Sequence, residues 1–83
     1  MNLYLISRTE VDWYDTYSEA VVAADDADEA KTIHPRGGEA RIPAHRHDEG
    51  TWTDDPSKVT AVLIGEAVAG TNVGVICASF HAG

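Results

Sequence analysis

Ala20-Val21-Val22-Ala23-Ala24 is apolar at five consecutive positions, and two later stretches, Val59-Thr60-Ala61-Val62-Leu63-Ile64 and Val73-Gly74-Val75-Ile76-Cys77-Ala78-Ser79-Phe80, carry apolar groups at both odd and even positions. Successive side chains on a strand point to opposite faces, so such stretches require cover on both sides of a sheet. Elsewhere only Asp26–His34 reads as a helix, and a helix that short shields one side. The other side must be closed by the long polar connection, by a second copy of the chain, or by a partner.

The flanking residues set the order of elements. Leu3, Leu5 and Ser7 alternate with Tyr4, Ile6 and Arg8, giving a first strand with apolar groups on both faces, and a second strand runs from about Tyr17 to Ala24. Asp25-Asp26 stops it. Asp26 and Glu29 have the spacing of a capping box, and Asp28 and Glu29 fall in the first turn, where the helix dipole favours negative charge. Ala27, Ala30 and Ile33 recur at helical spacing, Lys31 and His34 would occupy the last turn, and Pro35 ends the segment because the residue before a proline is pushed out of the helical region.

From Arg36 to Ser57 the pattern dissolves into Gly37-Gly38, Pro43, a His-rich patch, Gly50 and Asp54-Asp55-Pro56, with Trp52 as the one large apolar group and a short strand expected around Glu39–Ile42. A third strand over Lys58–Ala67 and a fourth over Val73–His81, separated by Gly70 and Asn72, predict a hairpin. The expected fold class is α+β, a single domain over residues 1–83 with a long irregular connection at about 36–57. Its sheet is mainly antiparallel and four-stranded, in the order β-β-α-(long loop)-β-β, with one short helix on one face.

A chain of 83 residues buries only about 60–65% of its unfolded surface, so its core is small and association with a second chain would add considerably to stability. The net charge of −8 is unevenly placed: residues 1–30 carry Glu10, Asp12, Asp15, Glu19, Asp25, Asp26, Asp28 and Glu29 against Arg8 alone. That block argues against direct nucleic-acid binding, which needs clustered Lys and Arg, and favours a basic protein partner. No apolar run is long enough to span a membrane. The N-terminal Met1-Asn2-Leu3-Tyr4-Leu5-Ile6-Ser7-Arg8 lacks the pattern of a signal peptide, and the single cysteine, Cys77, fits a reducing compartment, so the expected location is cytoplasmic, or a virion if the protein is structural.

Reactive constellations are sparse, and no cofactor and no enzymatic activity are expected. His45 and His47, in His45-Arg46-His47-Asp48-Glu49, would share a face in an extended segment and are the candidate metal ligands. They resemble the His-x-His of cupins, but the carboxylate that should follow is missing and the chain is too short for a double-sheet jelly roll. Cys77 and His81 on one strand would stand about 13 Å apart at roughly 3.3 Å per residue, too far for a thiol and its base, and Cys77 reads as a small buried apolar residue. The adjacent acids Asp25-Asp26 and Asp54-Asp55 read as turn and capping groups. The stretch Asp12-Trp13-Tyr14-Asp15-Thr16-Tyr17 sets aromatic rings among carboxylates, the composition of a protein-contact surface; the candidate partner-binding residues are Asp12, Trp13, Tyr14, Asp15, Tyr17 and Glu19. Core packing of Trp13 beside Trp52 is the competing reading of that stretch.

Tyr14-Asp15-Thr16-Tyr17, Ala20-Val21-Val22-Ala23-Ala24, Glu29-Ala30-Lys31, Ile33-His34-Pro35, Ile64-Gly65-Glu66-Ala67 and the segment from Gly74 to Gly83 are together similar to a recurrent type of small phage or prophage protein with no assigned activity. The resemblance spans most of the chain except Arg36–Ser57 and rests on fold-building residues. It implies a phage accessory or virion protein and transfers no catalytic residue. The leading expectation is a non-enzymatic phage-type protein, a host-directed inhibitor or accessory protein, that acts as a homo-oligomer by contact with a host or phage protein. The alternatives are a virion or assembly component, and a metal- or small-ligand-binding module using the His-rich loop.

Overall fold

The computed structural model describes residues 1–8, 16–42 and 51–81. Its elements are β1 (Asn2–Arg8), β2 (Thr16–Ala24), α1 (Ala27–Ala30), a 3₁₀ turn over Pro56–Lys58, β3 (Val59–Glu66) and β4 (Gly74–His81). The strands form one antiparallel four-stranded sheet in the order β3-β1-β2-β4. The fold is therefore α+β and mostly sheet, as the apolar stretches require.

The expected hairpin of the last two strands does not form. β3 pairs with β1 and β4 pairs with β2, so these strands are the two outer edges, and residues 67–73 cross the end of the sheet between them. The Ala67 N–H donates to the Met1 carbonyl at 3.0 Å at the start of that crossing, and the Thr71 N–H to the Val68 carbonyl at 3.2 Å within it. Gly70 does make a turn, with φ 89°, but it redirects the crossing instead of joining neighbouring strands. The central hairpin decides this: β1 and β2 pair with each other over Asn2–Ser7 and Glu19–Ala24, leaving one free edge each for β3 and β4.

The helix is shorter than the apolar spacing predicts. Asp26 caps it, its Oδ1 accepting the Glu29 N–H at 2.8 Å, while Glu29 Oε1 accepts the Asp25 N–H at 2.7 Å, a reciprocal arrangement close to a capping box. After Lys31 the ladder tightens: the Thr32 N–H and its Oγ1 both donate to the Glu29 carbonyl, at 3.0 and 2.7 Å, and the Ile33 N–H donates to the Ala30 carbonyl. The chain then extends, and Ile33 pairs with Arg41 across an isolated bridge flanked by His34 N–H to Ala40 carbonyl and Ile42 N–H to Thr32 carbonyl bonds. Ile33 is thus buried by a return segment and not by a third helical turn. The short strand expected around Glu39–Ile42 is reduced to this bridge. Gly37 and Gly38, at φ 94° and 59°, supply the left-handed backbone that reverses the chain between the two sides of it.

Helix and connection lie on the same face of the sheet. Tyr4 and Ile6 of β1, Ala20, Val22 and Ala24 of β2 and Val59 of β3 form one buried cluster with Ala30, Ile33, Ile42 and Trp52. His34 is fully buried in this layer, its Nδ1 accepting the Arg36 N–H at 2.9 Å and its ring meeting Tyr17 edge-on at 6.1 Å. Trp52 is 3% exposed, with the Arg8 guanidinium 5.7 Å from its ring centroid, and the Tyr17 N–H donates to the neighbouring Thr51 carbonyl at 2.9 Å. Asp55 closes the connection by capping the 3₁₀ turn, accepting from Ser57 N–H at 3.0 Å and Ser57 Oγ at 2.7 Å.

Three measurements test this construction. Trp52→Ala is expected to destabilise the fold by about 3 kcal/mol or more in urea denaturation, as truncation of a buried aromatic does. Asp26→Ala should cost about 1 kcal/mol, the usual value of an N-cap. The Asp55 carboxyl is held below the usual carboxylate range, first by the Ser57 hydroxyl and then by the Ser57 N–H. A depressed carboxylate contributes stability above its unfolded value and loses it as the pH falls through the lower folded one. Its NMR titration midpoint should accordingly rise in Ser57→Ala.

Candidate functional site: the uncovered sheet face

Because helix and connection cover the same side, the other side of the sheet is bare among the described residues. Its side chains fall into three cross-strand rows. The middle row is Val62–Leu5–Val21–Cys77, apolar from edge to edge. Toward one end of the sheet lies Gly65–Leu3–Ala23–Gly74, two apolar residues between two glycines; toward the other lies Thr60–Ser7–Glu19–Ser79, wholly polar. Leu3, Leu5 and Val21 on the central strands are half-buried by their neighbours, short Ala23 is buried, and Val62 and Cys77 on the edges are exposed. Leu5, Glu19, Val21, Cys77 and Ser79 line a shallow depression where the middle and polar rows meet across β2 and β4.

Both edge strands are irregular beside this face. The β1–β3 register slips between Leu3 and Tyr4, which leaves Ile64 as the extra residue of β3, and the β2–β4 register slips between Val21 and Val22, which leaves Ile76 as the extra residue of β4. Ile64 is 51% exposed and Ile76 52%. The two isoleucines therefore flank the sheet at the same end, one on each edge. In charge the face is nearly neutral: Glu19, in the polar row, is its one charged side chain among the described residues. No position in Gly65 or Gly74 is crowded, since nothing lies within 4 Å of the place a Cβ would occupy.

The residues singled out from the sequence are distributed unevenly over this geometry. Asp12, Trp13, Tyr14 and Asp15 lie outside the described residues, as do His45 and His47. Tyr17 is half-buried on the covered side, its ring edge-on to Phe80 at 4.8 Å and to His34. Glu19 is exposed on the opposite, uncovered side. The structure thus separates Tyr17 from Glu19, because the register slip between them turns Ser18 into an extra residue. Among the described residues no group of His, Cys, Asp and Glu could hold a metal ion, and no helix is long and apolar enough to cross a membrane.

Cys77 corrects the expectation of a buried thiol: it is exposed. Its strand looked like a buried one because it is apolar at both parities, but it lies at an edge, and Cys77 pairs with Val21 on the uncovered side. The residues that the sequence reading missed as a site, Leu5, Val21 and Val62, are the same ones that made the burial mismatch visible. Alternation along each strand separates the two faces; it cannot say which strand lies beside which, and the rows exist only across strands. No protein-family model, no curated protein and no solved structure matches the chain.

Proposed function

We propose that this chain is a non-enzymatic protein that acts by protein–protein contact, with the uncovered sheet face as its principal contact surface. The observation that carries the reading is the middle row, Val62–Leu5–Val21–Cys77, which runs apolar across all four strands and opens to solvent at both ends. An antiparallel sheet with one face in water ordinarily alternates apolar and polar residues along its strands. Here β1 and β2 carry leucine, valine and alanine on the side that water would solvate, a pattern suited to a protein surface laid against them.

The acidic block from Glu10 to Glu29 adds a second component to this reading. Acids clustered in one part of a chain speed the approach of a basic partner, and the rings of Trp13 and Tyr14 among them have the composition of interface anchors. On this reading the chain is a phage-type accessory protein, with a host-directed inhibitor as the first form of the proposal. A virion or assembly component shares the same physical basis.

Two variants separate the two surfaces. Val62→Lys alters a side chain already 51% exposed and is expected to leave the thermal unfolding within about 0.5 kcal/mol of wild type. It should weaken capture of protein partners from a host lysate at least tenfold, equivalent to about 1.4 kcal/mol. Trp13→Ala combined with Tyr14→Ala should remove the partners that depend on the acidic segment. Partner sets identical to wild type in both variants would reject the contact reading.

A further inference from the structure

We infer that the occupant of the uncovered face is a second copy of this chain, packed sheet on sheet with the two middle rows opposed. The inference rests on the contact reading above and adds the identity of the partner.

Charge is the first argument. Two copies of a chain carrying −8 repel each other at most relative orientations, and they can meet closely only through a surface that is nearly uncharged. The three rows supply one: of their twelve residues only Glu19 is an Asp, Glu, Lys or Arg, and it stands in the polar row, away from the apolar centre. A face shaped for a basic partner would carry several acids, and among the described residues this one carries Glu19 alone. Among the described residues, the neutral face is a surface on which self-association escapes that repulsion.

Size is the second. Four strands spaced by about 4.8 Å, each of seven to nine residues rising about 3.3 Å, make a face of roughly 500 Å². Opposing two of them removes about 1,000 Å² from water, the size at which a specific interface begins. The face is thus large enough for a two-fold pair without recruiting the covered side.

Shape is the third, and it separates face packing from pairing at the edges. The outer strands are interrupted by their extra residues, Ile64 and Ile76, which disturb the regular hydrogen-bonding row that edge-to-edge addition needs. On the face, Leu3 stands between Gly65 and Ala23, with Gly74 beyond Ala23 on the far edge, so one raised side chain has low ground on both sides. Two such surfaces can interdigitate at the roughly 10 Å separation of stacked sheets.

Cys77 lies in the middle row and reports on the arrangement directly. It is exposed in one chain and would be enclosed between two. The test is purified chain alone, from about 1 to about 100 µM, the range in which an interface of this modest size associates. Light scattering gives the mass and iodoacetamide the rate of Cys77 alkylation. The expected result is a mass rising to twice that of the chain, with alkylation slowed about tenfold at the highest concentration. Val62→Lys should return both readings to those of a monomer, with an unchanged far-ultraviolet circular dichroism spectrum showing that the fold persists. Val68→Lys, at a residue 80% exposed in the crossing between β3 and β4, should behave as wild type.

A monomer at every concentration, with a constant alkylation rate, overturns the inference. If that monomer still captures a foreign partner that Val62→Lys loses, the contact reading stands and only the identity of the occupant fails. A dimer that survives Val62→Lys joins through some other surface and overturns the inference as well.

Discussion

The central hairpin of β1 and β2 is the constraint on which the molecule is built. Its two strands are apolar on both faces, yet the described residues supply one covering layer to lay against them, and every other element is placed by that imbalance. One face takes Ala30, Ile33, Ile42 and Trp52 and becomes the core. The opposite face keeps Leu3, Leu5 and Val21 half in water. Because the hairpin strands occupy the centre of the sheet, the later strands can only add at its two outer edges, which carries the apolar middle row across the full width.

The covering layer shows how little regular structure is needed to close a small core. α1 is four residues long, and most of the cover comes from irregular backbone tied down at a few points: the capping pair Asp26 and Glu29, the bridge between Ile33 and Arg41, and the bond from the Tyr17 N–H to the Thr51 carbonyl. Irregular backbone is tolerable over a core only where its own polar groups find partners. His34 illustrates this, since the buried ring accepts the Arg36 N–H while its own N–H and carbonyl bond to the turn around Gly37 and Ala40. Cover made this way is compact enough to enclose one face and leaves no chain, among the described residues, to enclose the second.

The asymmetry gives the molecule two unlike surfaces. One is polar and rich in charge, made by the turn and loop residues of the cover. The other is flat, nearly uncharged and apolar along its middle. A surface of the second kind is consistent with action by contact, and its neutrality on a strongly acidic chain sets it apart from a site meant to attract opposite charge. Ser7, Glu19, Thr60 and Ser79 form a polar margin at one end of it, the usual relation of rim to centre in a protein interface.

Much of this was legible without the structure. The apolar runs named the strands, Asp26 and Glu29 named the start of the helix, and the excess of apolar strand over helix showed that some surface would be left needing cover, because burial demand and capping are local and follow from residue type and spacing. The end of the helix, the pairing of the last strands and the exposure of Cys77 were not legible. Ile33 leaves the helix because Arg41, eight residues later, offers it a bridge, and Gly70 turns the chain without making a hairpin because β1 and β2 have already claimed each other. The middle row needed four strands in one register before Leu5, Val21, Val62 and Cys77 became neighbours. Residue types determined how much apolar surface this chain must bury; only tertiary pairing decided which face was left bare, since adjacency across strands is a property of the whole sheet and not of any segment in it.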